Sequence, residues 1–91
     1  MVRITLGRKF EPHFRKRIHP HKNLVRFYKE QVELFKVDRK SPYLEDHALS
    51  GKLQGFSSFS ITGDIRVVYL ERSKDHFVFI DIGTHTQVYG K

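Results

Sequence analysis

The apolar residues change period part-way along the chain, and that change decides most of what it can become. From Arg8 to Ile18, Phe10, Phe14 and Ile18 recur every fourth position. From Lys22 to Val37, Leu24, Phe27, Tyr28, Gln31, Leu34 and Phe35 keep spacings of three and four. Each set lies along one face of an α-helix. Beyond Ser57 the period shortens to two: Phe59 and Ile61 alternate with Ser58 and Ser60, and Phe77, Phe79 and Asp81 alternate with Val78, Ile80 and Ile82. A block of helical period followed by a block of strand period predicts an α+β domain.

The boundaries follow from local chemistry. Val2, Ile4 and Leu6 alternate with Arg3 and Thr5 in a short opening strand that Gly7 ends. His19-Pro20-His21 separates the helices, because the residue before a proline is steered away from helix. Asp38 to Gly55 reads as a long irregular connection in which Ser41-Pro42 can open one helical turn. Thr62-Gly63-Asp64 makes a tight turn into β-rich Ile65–Glu71, and the polar turn Arg72–Asp75 leads into a last strand over His76–Gly83. The expected order is β-α-α-β-β-β with a short C-terminal tail. A helical hairpin packs on a twisted, mostly antiparallel four-stranded sheet, in a single domain spanning residues 1–91.

A 91-residue domain has little core to spare for a deep pocket, so function is expected on a surface or in a shallow groove. The charge is lopsided: Met1–Lys40 holds 12 Lys/Arg against 4 Asp/Glu, a balance of +8, and Ser41–Lys91 holds 5 against 6, a balance of −1. A basic half of this kind suits a polyanion such as nucleic acid, whose bound counterions are released on contact, and equally a solubilising face. With no cysteine there is neither a disulfide framework nor a thiolate zinc site. His13, His19 and His21 have no carboxylate or thiol beside them to complete a metal set, so no metal or other cofactor is expected. The absence of a signal-like apolar start and of any run of about 18 apolar residues predicts a soluble cytoplasmic protein with no membrane contact.

The residues with chemistry to offer are gathered between Asp46 and Tyr89. Asp46-His47 is followed by Leu49, Gly51 and Gly55-Phe56, then by Asp64, then by Gly83-Thr84-His85 with an aromatic, Tyr89, four residues on. In this order and spacing the chain resembles the RelE/ParE superfamily of small toxins from toxin–antitoxin pairs, and within it the YafQ-like RNases. The resemblance implies the β-α-α-β-β-β fold. It implies a metal-independent, ribosome-dependent endoribonuclease that cuts mRNA by attack of the RNA's own 2′-hydroxyl, leaving a 2′,3′-cyclic phosphate and a 5′-hydroxyl. It also implies a cognate antitoxin protein as hetero-oligomeric partner, with mRNA and ribosomal RNA as the other contacts.

Such a cut needs a proton removed, charge stabilised and the leaving 5′-oxygen protonated. Imidazole exchanges protons near neutrality, and a guanidinium fork matches phosphoryl oxygens. His85, where the last strand runs out, is the expected general acid, since the histidine of the resembled family's Gly-Thr-His motif is its principal catalytic group; the alternative is a histidine that caps a strand end. Arg66 lies between Ile65 and Val67 and so faces away from them, as a transition-state cation or as an exposed arginine paired with Asp81 or Glu71. His47 and Asp64 match positions used in YafQ-like sites, as a base or phosphate-orienting group and its orienter, although Gly-Asp is also an ordinary turn former. Tyr89 suits stacking on a splayed base or packing on the sheet edge, Lys52 suits the RNA backbone, and Arg15 and Lys16 on the basic first helix suit ribosomal RNA.

Two positions depart from the resembled pattern: Ser60 stands where those toxins carry a second histidine, and Asp81 where they carry an arginine. That thinner set keeps two further readings open, a ParE-like toxin that poisons DNA gyrase without catalysis and an inactive nucleic-acid-binding protein of the same fold.

Overall fold

A computed structural model describes residues 1–90. Strand β1 (Arg3–Leu6) leads into helices α1 (Phe10–Arg17) and α2 (Lys22–Val37). A 3₁₀ turn at Pro42–Leu44 precedes the two-residue strand β2 (His47–Ala48), and another at Gly51–Leu53 precedes β3 (Ser57–Ser60). Long strands β4 (Ile65–Ser73) and β5 (His76–Thr84) follow, and a five-residue helix α3 (His85–Tyr89) closes the chain. The spatial order is β1-β5-β4-β3-β2, with β1 parallel to β5 and every other pairing antiparallel.

The sheet thus has five strands where the sequence predicts four. The added strand arises inside the connection read as irregular, where His47 pairs with Ser58 and Ala48 with Ser57. Two residues are too few for a period to show. The expected C-terminal tail is a helix: Thr84 Oγ1 accepts the Gln87 N–H at 3.2 Å and Gln87 Oε1 accepts the Thr84 N–H at 2.8 Å. This reciprocal pair satisfies two backbone donors that a helix start otherwise leaves open.

The core lies between the helices and one sheet face. Phe35, 1% exposed, stands with its ring 4.8 Å from Phe59 and 5.1 Å from both Tyr69 and Phe77. Phe10 joins α1 to Tyr28 on α2 and to Phe79 on β5. Along β4, Ile65, Val67 and Tyr69 belong to this cluster. Arg66 and Val68 therefore project to the other face, as do Ser58 and Ser60 of β3. That second face, away from the helical hairpin, carries the candidate site.

Candidate active site

The rim of the second face is built by α3. Its capping box starts the helix at His85 and sets His85 and Tyr89 four residues apart on one side, where their rings meet edge-to-face at 4.4 Å. The Tyr89 hydroxyl reaches back to share a 2.7 Å hydrogen bond with Ser58 Oγ, pinning the helix end to the sheet. Opposite stands the connection after β2. Together His47, Leu49, Ser50, Lys52, Leu53, His85 and Tyr89 line one open groove of about 390 Å³. Four of the seven site residues expected from the sequence outside Arg66 are gathered there: His47, Lys52, His85 and Tyr89.

The groove suits an anion, for its titratable lining residues are two histidines, a lysine and a tyrosine, with no carboxylate among them. His47 Nδ1 lies 2.9 Å from the Glu45 carbonyl oxygen. A carbonyl oxygen only accepts, so Nδ1 carries a proton, and of the two neutral tautomers the contact selects the one with its lone pair on Nε2. That is the form required of a proton acceptor.

Arg66 does not line the groove. It occupies the same face two residues along β3 from the Ser58–Tyr89 contact, paired across the sheet with Ser60 and Gly83. Its Nη1 donates to Ser60 Oγ at 2.6 Å, and Ser60 Oγ donates to Glu45 Oε1 at 2.7 Å, with Glu45 3.8 Å from Arg66. The arginine is thus paired, but with Glu45 rather than with the Asp81 or Glu71 that the sequence suggests. Asp81 is occupied elsewhere. Ile80 is an extra residue in β5, Val68 pairing with Asp81 and Tyr69 with Phe79, and beyond this bulge the Asp81 carboxylate takes His13 at 2.6 Å and Arg17 at 3.4 Å from α1.

Asp64 is exposed in the β3–β4 turn, its N–H donated to Thr62 Oγ1 at 3.2 Å, and lies outside the groove lining. Arg15 forms an exposed ion pair with Glu11 at 2.7 Å, and Lys16 lines a different groove. Among the described residues no three His, Cys, Asp or Glu side chains are grouped to hold a metal ion, and no helix is long and apolar enough to cross a membrane.

One constellation escaped the sequence reading. The Asp46 carboxylate, its side chain 6% exposed, accepts the Tyr69 hydroxyl and lies 3.5 Å from Arg39 and 4.0 Å from Lys40. Arg39 also donates to the Tyr69 oxygen at 3.2 Å, pairs with Glu71 at 3.5 Å and covers the Phe77 ring. Burial, followed by the hydrogen bond to Asp46, raises the Tyr69 phenol well above its usual range. Through this network the residue before His47 is anchored to the core. The hydroxyl of Tyr69, between the apolar residues Val68 and Leu70, was the one available signal, since a buried phenol needs a partner.

Gly83 has a steric reason. A Cβ there would stand 2.6 Å from Gln87 Oε1, 2.8 Å from Arg17 Nη1 and 3.0 Å from Gln87 Cβ. Gly83→Ala is expected to push α3 and the Arg17 guanidinium off the strand at a cost of about 1–3 kcal/mol, read as a lowered midpoint in chemical denaturation; an unchanged midpoint contradicts this packing.

The family model described as the bacterial toxin of type II toxin–antitoxin systems, YafQ, matches residues 2–90. No curated protein matches the chain. Among solved structures, YafQ from E. coli strain BL21(DE3) superposes with a TM-score of 0.81 at 17% identity over 99% of this chain and 100% of that one. The E. coli DinJ–YafQ complex gives 0.79 at 18% identity over 99% and 100%, and a metal-bound toxin from Helicobacter pylori gives 0.78 at 20% over 97% and 99%. At these identities the superpositions establish the fold, and the family match over nearly the whole chain establishes descent: the chain belongs to the YafQ family of type II toxin–antitoxin toxins.

Proposed function

We propose that the chain is a ribosome-dependent endoribonuclease acting on mRNA in the cytoplasm, without metal or other cofactor, and restrained by a cognate antitoxin. The observation that carries this reading is the pair His47 and His85 lining one carboxylate-free groove. His47 Nε2 takes the proton of the 2′-hydroxyl, the 2′-oxygen bonds to phosphorus, the bond from phosphorus to the 5′-oxygen breaks, and His85 gives that oxygen its proton. The products are a 2′,3′-cyclic phosphate and a 5′-hydroxyl. Tyr89 supplies a ring for a splayed base and Lys52 a charge for the backbone. The antitoxin part of the proposal is supported by a relative of the same fold, E. coli YafQ, having been solved with DinJ.

Primer extension on mRNA recovered from ribosomes incubated with the protein tests the reading. New 5′ ends within codons are expected. An intact message overturns it, and intact message with trapped gyrase selects the ParE-like alternative.

Arg66 is the cation nearest in role to the one absent at position 81, but it reaches a phosphate only by giving up Ser60 and Glu45. Glu45, held in the left-handed conformation at φ 51°, places its carboxylate where it competes with that phosphate. Glu45→Gln removes the charge and keeps the shape. Since its pair with Arg66 is partly exposed and worth up to about 1 kcal/mol, kcat/KM is expected to rise about two- to fivefold; an equal or lower value shows that Glu45 supports the arginine instead.

A further inference from the structure

A second groove adjoins the histidine groove but belongs to different elements. Lys16 and Arg17 of α1, His21 before α2, Leu24, Ile65, and Thr84 and Gln87 at the start of α3 enclose about 540 Å³. Thr84 lines this groove and His85 the other. The two therefore meet across a single peptide bond, with α3 as the ridge between them: His85 and Tyr89 look to one side and Gln87 to the other.

Arg17 gives the second groove its chemistry. Its Nη1 donates to the Ile82 carbonyl at 2.9 Å and lies 3.4 Å from Asp81, contacts that fix the guanidinium against the end of β5. Its Nη2 and Nε make no hydrogen bond among the described residues, and no buried side-chain nitrogen there lacks a partner, so both nitrogens reach solvent. A guanidinium held by one nitrogen, with the other two left open, is pre-organised for a phosphoryl oxygen. Asp81 offsets part of the charge, but His13 shares that carboxylate at 2.6 Å, and Lys16 adds an exposed ammonium.

We infer that this groove binds a phosphate of the RNA strand next to the one being cut, with Arg17 as its fixed donor and Lys16 as its mobile cation. The inference rests on the endoribonuclease reading for the strand's position, and on the groove itself for the ligand's charge. A strand whose scissile phosphate sits beside His85 crosses the α3 ridge at Thr84 and enters the second groove with its next phosphate.

The test is binding of a fully 2′-O-methylated oligoribonucleotide, which cannot be cut, followed by fluorescence anisotropy across a range of salt. Lys16→Ala is expected to weaken binding three- to tenfold at low salt and to reduce the slope of log K against log salt by about 0.7, the value for one phosphate contact on a single strand. Arg17→Gln is expected to do at least as much, checked against its thermal melt because Arg17 also ties α1 to β5. Lys74→Ala, at the far end of the β4–β5 hairpin, is expected to leave the slope unchanged. If Lys16→Ala behaves like Lys74→Ala while the wild-type protein still cuts ribosomal mRNA, the second site is wrong and the endoribonuclease reading stands. If the slope falls as expected but no cleavage is found, the site stands and the catalytic reading falls. Absence of salt-dependent binding by the wild type overturns the second site, and primer extension on ribosome-bound message then decides the endoribonuclease reading by itself.

Discussion

His85→Ala is expected to reduce mRNA cleavage by at least about 10²-fold while leaving the fold intact. The two halves of that expectation come from different observations. His85 is exposed on the first turn of α3, and its one ring contact among the described residues is with Tyr89 at 4.4 Å, so the imidazole contributes little to the core. The helix does not depend on it either, because Thr84 and Gln87 cap the N-terminus and Tyr89 is tied to Ser58. What the substitution does remove is the proposed proton donor on the rim of the groove that His47 also lines. Without it the 5′-oxygen leaves as an alkoxide or waits for water, and general acid catalysis is worth about 10²–10⁴-fold. Primer extension on ribosome-bound message and a thermal melt of the same preparation check both halves. Cleavage near the wild-type rate moves the acid elsewhere, and a melting temperature lowered by many degrees makes His85 a structural residue.

Elements with many residues per period were legible in the sequence, and those fixed by one or two contacts were not. Helix α2 occupies Lys22–Val37, the span its apolar spacing predicts, because sixteen residues give four turns over which a stripe can repeat. Helix α1 starts at Phe10 rather than Arg8, since Arg8 and Lys9 form a turn that the Phe10 N–H closes onto the Gly7 carbonyl at 3.1 Å, while the Gly7 N–H is still given to the Phe79 carbonyl of β5. Helix α3 has too few residues for a period, yet Thr84 and Gln87 stand at the spacing of a capping box, a signal that pattern reading alone passes over. The groove brings together four of the residues expected from the sequence, His47, Lys52, His85 and Tyr89, whereas Asp64, Arg15 and Lys16 fall outside it. Arg66 illustrates the limit. Strand alternation gives its face, but its partner depends on Glu45 turning left-handed in a connection where no period operates. Asp81 pairs with α1 because a bulge interposes Ile80, and a bulge has no signature in the alternation it interrupts.

Asp46→Ala is expected to cost about 3–5 kcal/mol, a large part of what a domain of this size has. The carboxylate is nearly buried and faces Arg39, Lys40 and the Tyr69 hydroxyl. Its loss leaves a guanidinium and a phenol that cannot regain full hydration, which is why removing one partner costs more than the pair contributes. Tyr69→Phe removes the other end of the same bond, so the two changes are expected to be less than additive by about 0.5–3 kcal/mol in a double-mutant cycle of denaturation midpoints. Additive values mean that the hydrogen bond between them carries little. The raised phenol supplies an independent check with a definite sign. Its folded value lies above the ordinary 10.0, so its contribution is whole below pH 10 and is lost as pH rises through the folded value. Stability should therefore fall in alkali more steeply in the wild type than in Tyr69→Phe. Because Asp46 precedes His47, and the Glu45 carbonyl accepts from His47 Nδ1, the same truncation is expected to loosen the backbone leading into the proposed proton acceptor. In the fraction of Asp46→Ala that stays folded, kcat is then expected to fall more than KM rises, whereas a change confined to the folded fraction makes Asp46 a residue of stability alone.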